Sequence, residues 1–122
     1  MDPKPYELTF EERPGYLYVC IRAYELTRAM AMNWVHEVAE KCAETECPRL
    51  MIERDVPTEP SGYALVAINQ FVGLRDGPVA IVNRHPAVGD KLKTQIEAGS
   101  ASGALVAYFT NVQKAEAWLL AR

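Results

Sequence analysis

The 122-residue sequence predicts a single α/β domain in which a mixed, mostly parallel five-stranded sheet is combined with four helices. Two segments of strand periodicity flank Pro14-Gly15, which indicates an antiparallel hairpin at the start. Short apolar segments then alternate with segments of helical periodicity, which implies parallel strands joined by right-handed crossovers. The length is typical of one domain, so residues 1–122 are treated as a single unit in the order β-β-α-β-α-β-α-β-α.

The hairpin strands come first. Residues 6–11 alternate apolar and polar side chains, and residues 16–24 are rich in aromatic and β-branched side chains. Thr27 can cap the helix predicted over residues 28–43, whose apolar residues recur at steps of three and four. Pro48 stops that helix, and residues 49–54 form a short buried strand.

The rest of the chain repeats the alternation of helix and strand. Pro60 is suited to the first turn of a helix, and the run 79–82 is apolar throughout, as in a central parallel strand. The predicted elements are a helix from Pro60 to about Leu74, a strand over 79–82, a helix from Pro86 to about Ala98, a strand over 104–109, and a helix capped by Asn111 that ends near Leu120.

Composition excludes several classes of function. The net charge is −3 and no basic run occurs, so a nucleic-acid partner is not expected. No apolar run reaches the ~18 residues of a membrane span, and the polar start has no signal-peptide character. The three cysteines are odd in number and lack metal spacing, which favours reduced thiols and a cytoplasmic location. No cofactor is expected. Glu53, Asp55 and Glu59 cluster in sequence, but solvated carboxylates explain them better than a metal does.

Polar side chains follow two strands that we expect to be neighbours. Asp55 follows the strand over 49–54, while Arg84 and His85 follow the strand over 79–82. Ligands of open α/β sheets gather at the carboxyl ends of strands. We therefore predict that Asp55, Arg84 and His85 share one edge of the sheet and name them the polar rim. Their role is either loop capping with surface ion pairing, or a small site for an anion or polar ligand.

The second helix carries more apolar residues than one sheet-facing stripe can bury. Only Asn69 and Gln70 are polar between Gly62 and Leu74. By helical spacing Tyr63, Ala67 and Gln70 share one face, and Leu65, Ile68 and Val72 share another. One face meets the sheet; the other packs within the chain, against a protein partner such as a second copy, or against an apolar small molecule. The candidate contact residues are Tyr63, Ala67, Ile68, Phe71 and Val72.

The element order and the final segment resemble those of a known family. Residues 109–119 read Phe-Thr-Asn-Val-Gln-Lys-Ala-Glu-Ala-Trp-Leu, with a strand-ending Phe, a capping residue, an alanine-rich turn and Trp-Leu. This ending resembles the STAS-like, SpoIIAA-like bacterial antagonists of anti-sigma factors, which are related to CRAL-TRIO-like lipid-binding folds. The resemblance implies sequential strands. It also aligns the family's phosphorylated Asp-Ser-Ser-Gly loop with Glu59-Pro60-Ser61-Gly62, where Pro60 lacks the hydroxyl.

The sequence therefore predicts a non-enzymatic STAS-like binding or regulatory module without the phosphorylatable serine. It would act through the second helix and adjacent loops on a protein partner or an apolar ligand. No nucleophile elbow, phosphate-binding loop or zinc spacing is present, so no catalytic residue is assigned. The alternative is a small enzyme or anion-binding protein that uses the polar rim.

Overall fold

A computed structural model describes residues 6–59, 68, 70, 71 and 77–122. Within them one sheet has the strand order β1-β2-β3-β4-β5. The first pair of strands is antiparallel and the other three pairs are parallel. The predicted mixed, mostly parallel five-stranded sheet is confirmed. Its strands are β1 (Glu7–Arg13), β2 (Tyr16–Arg22), β3 (Leu50–Asp55), β4 (Val79–Asn83) and β5 (Val106–Phe109).

The described residues contain three α-helices: α1 (Arg28–Thr45), α2 (Asp90–Ala101) and α3 (Val112–Leu120). The two predicted N-caps are confirmed. Thr27 Oγ1 accepts a 3.3 Å hydrogen bond from the Met30 N–H, and Asn111 Oδ1 accepts a 3.0 Å bond from the Lys114 N–H. The helix predicted over residues 60–74 falls outside the described residues except for Ile68, Gln70 and Phe71, which are helical. A fourth helix therefore stays a prediction.

The helix predicted over residues 86–98 differs from the structure at both ends. A 3₁₀ turn, Pro86–Val88, comes first, and α2 begins only after Gly89. The cause is a tertiary contact, because the fully buried Asn83 side chain lies against the Gly89 backbone. The helix also continues to Ala101, into the predicted 99–103 loop, and ends before Gly103, whose φ of +101° suits glycine.

The two faces of the sheet are covered differently. Helices α1 and α2, together with Ile68, bury the face that holds Leu17, Ile52, Ile81 and Val106. On the opposite face, within the described part of the chain, α3 alone packs against the strands. It sets Ala115 and Leu119 on an apolar patch consisting of Tyr16, Met51, Ala80 and Val82. Helix α3 contacts β3, β4 and β5.

None of the described helices combines the length and apolarity that crossing a bilayer requires. Cys20, Cys42 and Cys47 are not joined in disulfide bonds. The core is therefore formed by packing of the sheet against its helices without covalent cross-links.

Candidate functional site: the polar rim

The polar rim lies at the carboxyl ends of β3 and β4. Asp55 is the last residue of β3, and Arg84 continues the ladder by donating its N–H to the Arg54 carbonyl at 3.0 Å. His85 Nε2 lies 2.6 Å from Asp55 Oδ1, and Arg84 Nη1 lies 2.9 Å from Asp55 Oδ2. The predicted proximity of the three residues is confirmed. A ligand for them stays a prediction.

Asp55 is the centre of the rim. Its Oδ2 also accepts a 2.8 Å hydrogen bond from Arg22 Nε, so three cationic or potentially cationic side chains meet one carboxylate. Burial alone would raise the pKa of Asp55. The hydrogen bonds from His85 and Arg22 and the charge of Arg84 outweigh burial, and the net pKa lies below its ordinary value. Because Asp55 holds no proton at neutral pH, His85 Nε2 is the donor in their contact.

A second carboxylate, Glu53, lies one row further into the sheet. Arg84 binds it in a bidentate manner, with Nη2 at 2.9 Å from Oε1 and Nε at 3.3 Å from Oε2. The Tyr18 hydroxyl donates a hydrogen bond to the same Oε1. Burial and this bond to Glu53 raise the pKa of Tyr18 far above its ordinary value, so the phenol stays protonated. Each carboxylate therefore has its partners within the chain.

Arg22 and Tyr18 are parts of this network that the sequence reading did not single out. Register brings Arg22 beside Glu7 on one side and beside Asp55 on the other. Arg84, one residue past the end of β4, contacts Asp55 from the next strand. The charges of these four residues alternate across the sheet. A signal was available in the sequence, because Arg22 follows an apolar strand much as Arg84 does.

The rim is layered by charge. Side-chain exposure is 7% for Glu53 and 15% for Asp55, against 35% for His85, 41% for Arg84 and 56% for Arg22. The acidic groups lie beneath and the basic groups lie toward solvent. The two carboxylates thus anchor the more exposed basic side chains, and their negative charge balances the two arginines.

Residues behind the rim fix the loop that carries it. The fully buried Asn83 accepts a 3.0 Å hydrogen bond from the His85 N–H through Oδ1 and donates through Nδ2 to the Tyr108 hydroxyl at 3.0 Å. The Gly89 backbone packs against the same amide, and a Cβ added at Gly89 would lie 1.9 Å from Asn83 Nδ2. The position of His85 is therefore set from the core side as well as by Asp55.

Cys20 is the nearest thiol that could serve as a nucleophile. It is buried on the same sheet face, directly beside Glu53 in the strand register. Burial raises its pKa, and the charge of Glu53 raises it further, although the Tyr18 hydrogen bond and the charges of Arg84 and Arg22 oppose this. The thiol is therefore protonated and weakly nucleophilic at neutral pH.

The candidate contact residues of the second helix are described only in part. Ile68 is buried in the core cluster, and Phe71 packs partly against it. Gln70 is exposed. Tyr63, Ala67 and Val72 lie outside the described residues. Ile68, from the predicted face that it shares with Leu65 and Val72, is therefore buried against the core. Gln70, from the predicted face that it shares with Tyr63 and Ala67, is exposed to solvent.

The sequence matches no model of a known protein family, and no curated protein matches it significantly. In the described part of the chain, no group of three or more His, Cys, Asp or Glu side chains is arranged to hold a metal ion.

Proposed function

We propose that this chain is a non-enzymatic binding or regulatory module of the STAS-like class. It contacts a protein partner through the outer face of the second helix and the adjacent loops, with a second copy of the chain as the simplest partner. Since Pro60 stands where the family carries its phosphorylated serine, the module does not use that phosphorylation. An apolar small molecule at the same surface is the competing outcome of the test.

The opposite exposure of Ile68 and Gln70 carries this proposal. Ile68 is 6% exposed within the core, whereas Gln70, two positions on in the same helical segment, is exposed. Between Gly62 and Leu74 only Asn69 and Gln70 are polar. Tyr63 and Ala67, which we expect to share a helix face with Gln70, therefore make most of that face apolar. An apolar outer face on a helix usually marks a surface that meets another molecule.

The matched pair Ala67→Glu and Ile68→Glu tests the proposal. Ala67→Glu should weaken the association measured by sedimentation velocity and change the free energy of unfolding by no more than about 0.5 kcal/mol, the usual range for a surface position. Ile68→Glu should instead cost about 3 kcal/mol or more, because it places a charge in the core. If Ala67→Glu unfolds the domain or leaves association unchanged, the outer face is not the contact surface.

A second candidate function is favoured by one contact, the 2.6 Å separation of His85 Nε2 and Asp55 Oδ1. A histidine oriented by a carboxylate is the usual arrangement of a general base, and Nδ1 would then face the substrate. A thermal-shift screen with anions, nucleotides and lipids distinguishes a polar ligand at the rim from an apolar ligand at the second helix. Stabilisation by a polar ligand that His85→Ala removes would favour the enzyme, while stabilisation by lipids that Ala67→Glu removes would favour an apolar binder.

A further inference from the structure

The two edges of the sheet differ in chemistry. The β1 edge is charged, with Glu7, Glu11, Glu12 and Arg13 among its seven residues. Charged side chains on an edge strand oppose pairing with another strand. Residues 105–109 at the other edge read Leu-Val-Ala-Tyr-Phe and carry no charge. In the described part of the chain β5 pairs only with β4, so its outer side is an unprotected edge.

The hydrogen bonds of β5 show which backbone groups face outward. The Val79 N–H donates to the Leu105 carbonyl at 2.8 Å, so residue 105 directs its backbone toward β4. Backbone direction alternates along a strand paired in parallel, and therefore residues 107 and 109 also face β4. Val106 and Tyr108 direct their carbonyls outward, and Tyr108 directs its N–H outward too. The Val106 N–H is held by the Ala104 carbonyl at 3.0 Å.

A projecting side chain and a groove lie on the same edge. Leu105 is 56% exposed and is one of the four large apolar side chains that are exposed among the described residues. Leu105 also lines a groove of about 280 Å³, together with Ala107, Trp118 and Arg122. Trp118 in turn packs on Phe109, with their ring centroids 5.9 Å apart. The edge therefore presents exposed apolar side chains that a partner strand can cover.

From this edge we infer that two copies of the chain associate through antiparallel pairing of β5 with β5, which produces a continuous ten-stranded sheet. A two-fold axis perpendicular to the sheet at Ala107 pairs Val106 with the partner's Tyr108, so the outward groups of each strand meet. Each Tyr108 N–H then donates to the partner's Val106 carbonyl. Leu105 lies opposite the partner's Phe109 on the face that α3 covers, and the two-fold symmetry of this contact joins only two copies through the β5 edge.

Charge favours the β5 strand of a second copy, rather than its β1 strand, as the partner at this edge. Two uncharged strands meet without repulsion, whereas β1 would bring the charges of its glutamates to an edge that has no opposite charge to offer. This dimer is independent of the second-helix surface, and either contact can exist without the other.

Cross-linking at the axis tests the register. Ala107 and the partner's Ala107 form a non-hydrogen-bonded pair with Cα atoms about 4.5 Å apart, which lies within the range of a disulfide. Under mild oxidation Ala107→Cys should give a disulfide-linked dimer on a non-reducing gel. Met32→Cys, at an exposed position on α1, should not. Equal cross-linking of the two variants, or none at Ala107→Cys, overturns the proposal.

Association in solution provides the second test. Leu105→Lys removes two apolar side chains per dimer and adds two charges, so the dissociation constant should rise by about tenfold or more. Met32→Lys makes a comparable change at another exposed residue and should leave association unchanged, and unfolding curves verify that both variants fold. Loss of the dimer in Ala67→Glu but not in Leu105→Lys assigns association to the second helix and refutes the β5 contact. A monomer at all concentrations refutes both dimers.

Discussion

Gly89→Ala should destabilise the domain through a single steric contact. The φ of Gly89 is −123°, which alanine adopts readily, so backbone conformation alone would make alanine neutral or favourable by about 0.4–1 kcal/mol. The added Cβ, however, would lie 1.9 Å from Asn83 Nδ2 and 2.8 Å from the Tyr108 hydroxyl. Asn83 is fully buried and cannot move toward solvent.

The magnitude follows from two costs. Forcing a methyl group into a packed site costs about 1–3 kcal/mol, and displacing the Asn83 amide from its bonds to His85 and Tyr108 costs about 1–3 kcal/mol more. After the small conformational gain, we expect a net loss of about 1–5 kcal/mol in the free energy of unfolding. For a domain of this size, a loss of that order lowers Tm by roughly 4–20 °C.

Urea unfolding followed by circular dichroism measures the loss. Gly103→Ala is the matched control, since its φ of +101° is unfavourable for alanine but no atom lies within 4 Å of the new Cβ, and it should cost only about 1 kcal/mol. In an Asn83→Ala background, Gly89→Ala should cost much less than in the wild type, because the obstructing amide is gone. A Gly89→Ala protein as stable as the wild type, or a cost unchanged in that background, would refute the steric account.

Three further predictions concern charge and hydrogen bonding. The pKa of Asp55 is lowered on folding, so its stabilising effect is present above the ordinary carboxyl pKa and is lost as pH falls through the folded value. Asp55→Asn should therefore flatten the acid limb of a stability-against-pH curve, and an unchanged acid limb would contradict the ion-pair network. The pKa of Tyr6 is raised to about 12 by burial, by its hydrogen bond to Glu37 and by the charge of Glu37. Tyr6→Phe should therefore remove one phenol that titrates at high pH from an ultraviolet titration, and should lower the free energy of unfolding by about 1 kcal/mol. Tyr18→Phe should leave Glu53 with Arg84 as its remaining partner and lower the free energy of unfolding, measured in urea, by about 1–2 kcal/mol. Because Tyr18 and Glu53 share one hydrogen bond, the Tyr18→Phe/Glu53→Gln double variant should lose less than the sum of the two single variants.

Much of the rim could be predicted from sequence because parallel strands end on a common edge. Adjacent βα units place the residues after β3 and β4 together, and this sufficed to bring Asp55 to His85. Extending the same reasoning to β2 would have included Arg22. Tyr18 was not accessible in this way, since its contact with Glu53 depends on strand register and on the side-chain direction of a residue in the middle of β2.

The helix break at Gly89 shows a different limit. Helical periodicity describes which residues face the sheet, but it contains no information on what lies beyond the helix end. The break depends on Asn83 and Tyr108, which reach the loop from β4 and β5. Only the assembled sheet brings these side chains together, so local sequence patterns predicted an uninterrupted helix.

Among the described helices α3 alone covers one face of the sheet, which also has a consequence for biosynthesis. Every strand pairs with the strand that precedes it in the chain, so the sheet can grow as it emerges from the ribosome. The face with Met51, Ala80 and Val82 nonetheless waits for α3, which is made after all five strands. Until Ala115 and Leu119 dock, a nearly complete sheet exposes an apolar surface, and this interval is when the nascent chain is most prone to aggregation and most dependent on chaperones.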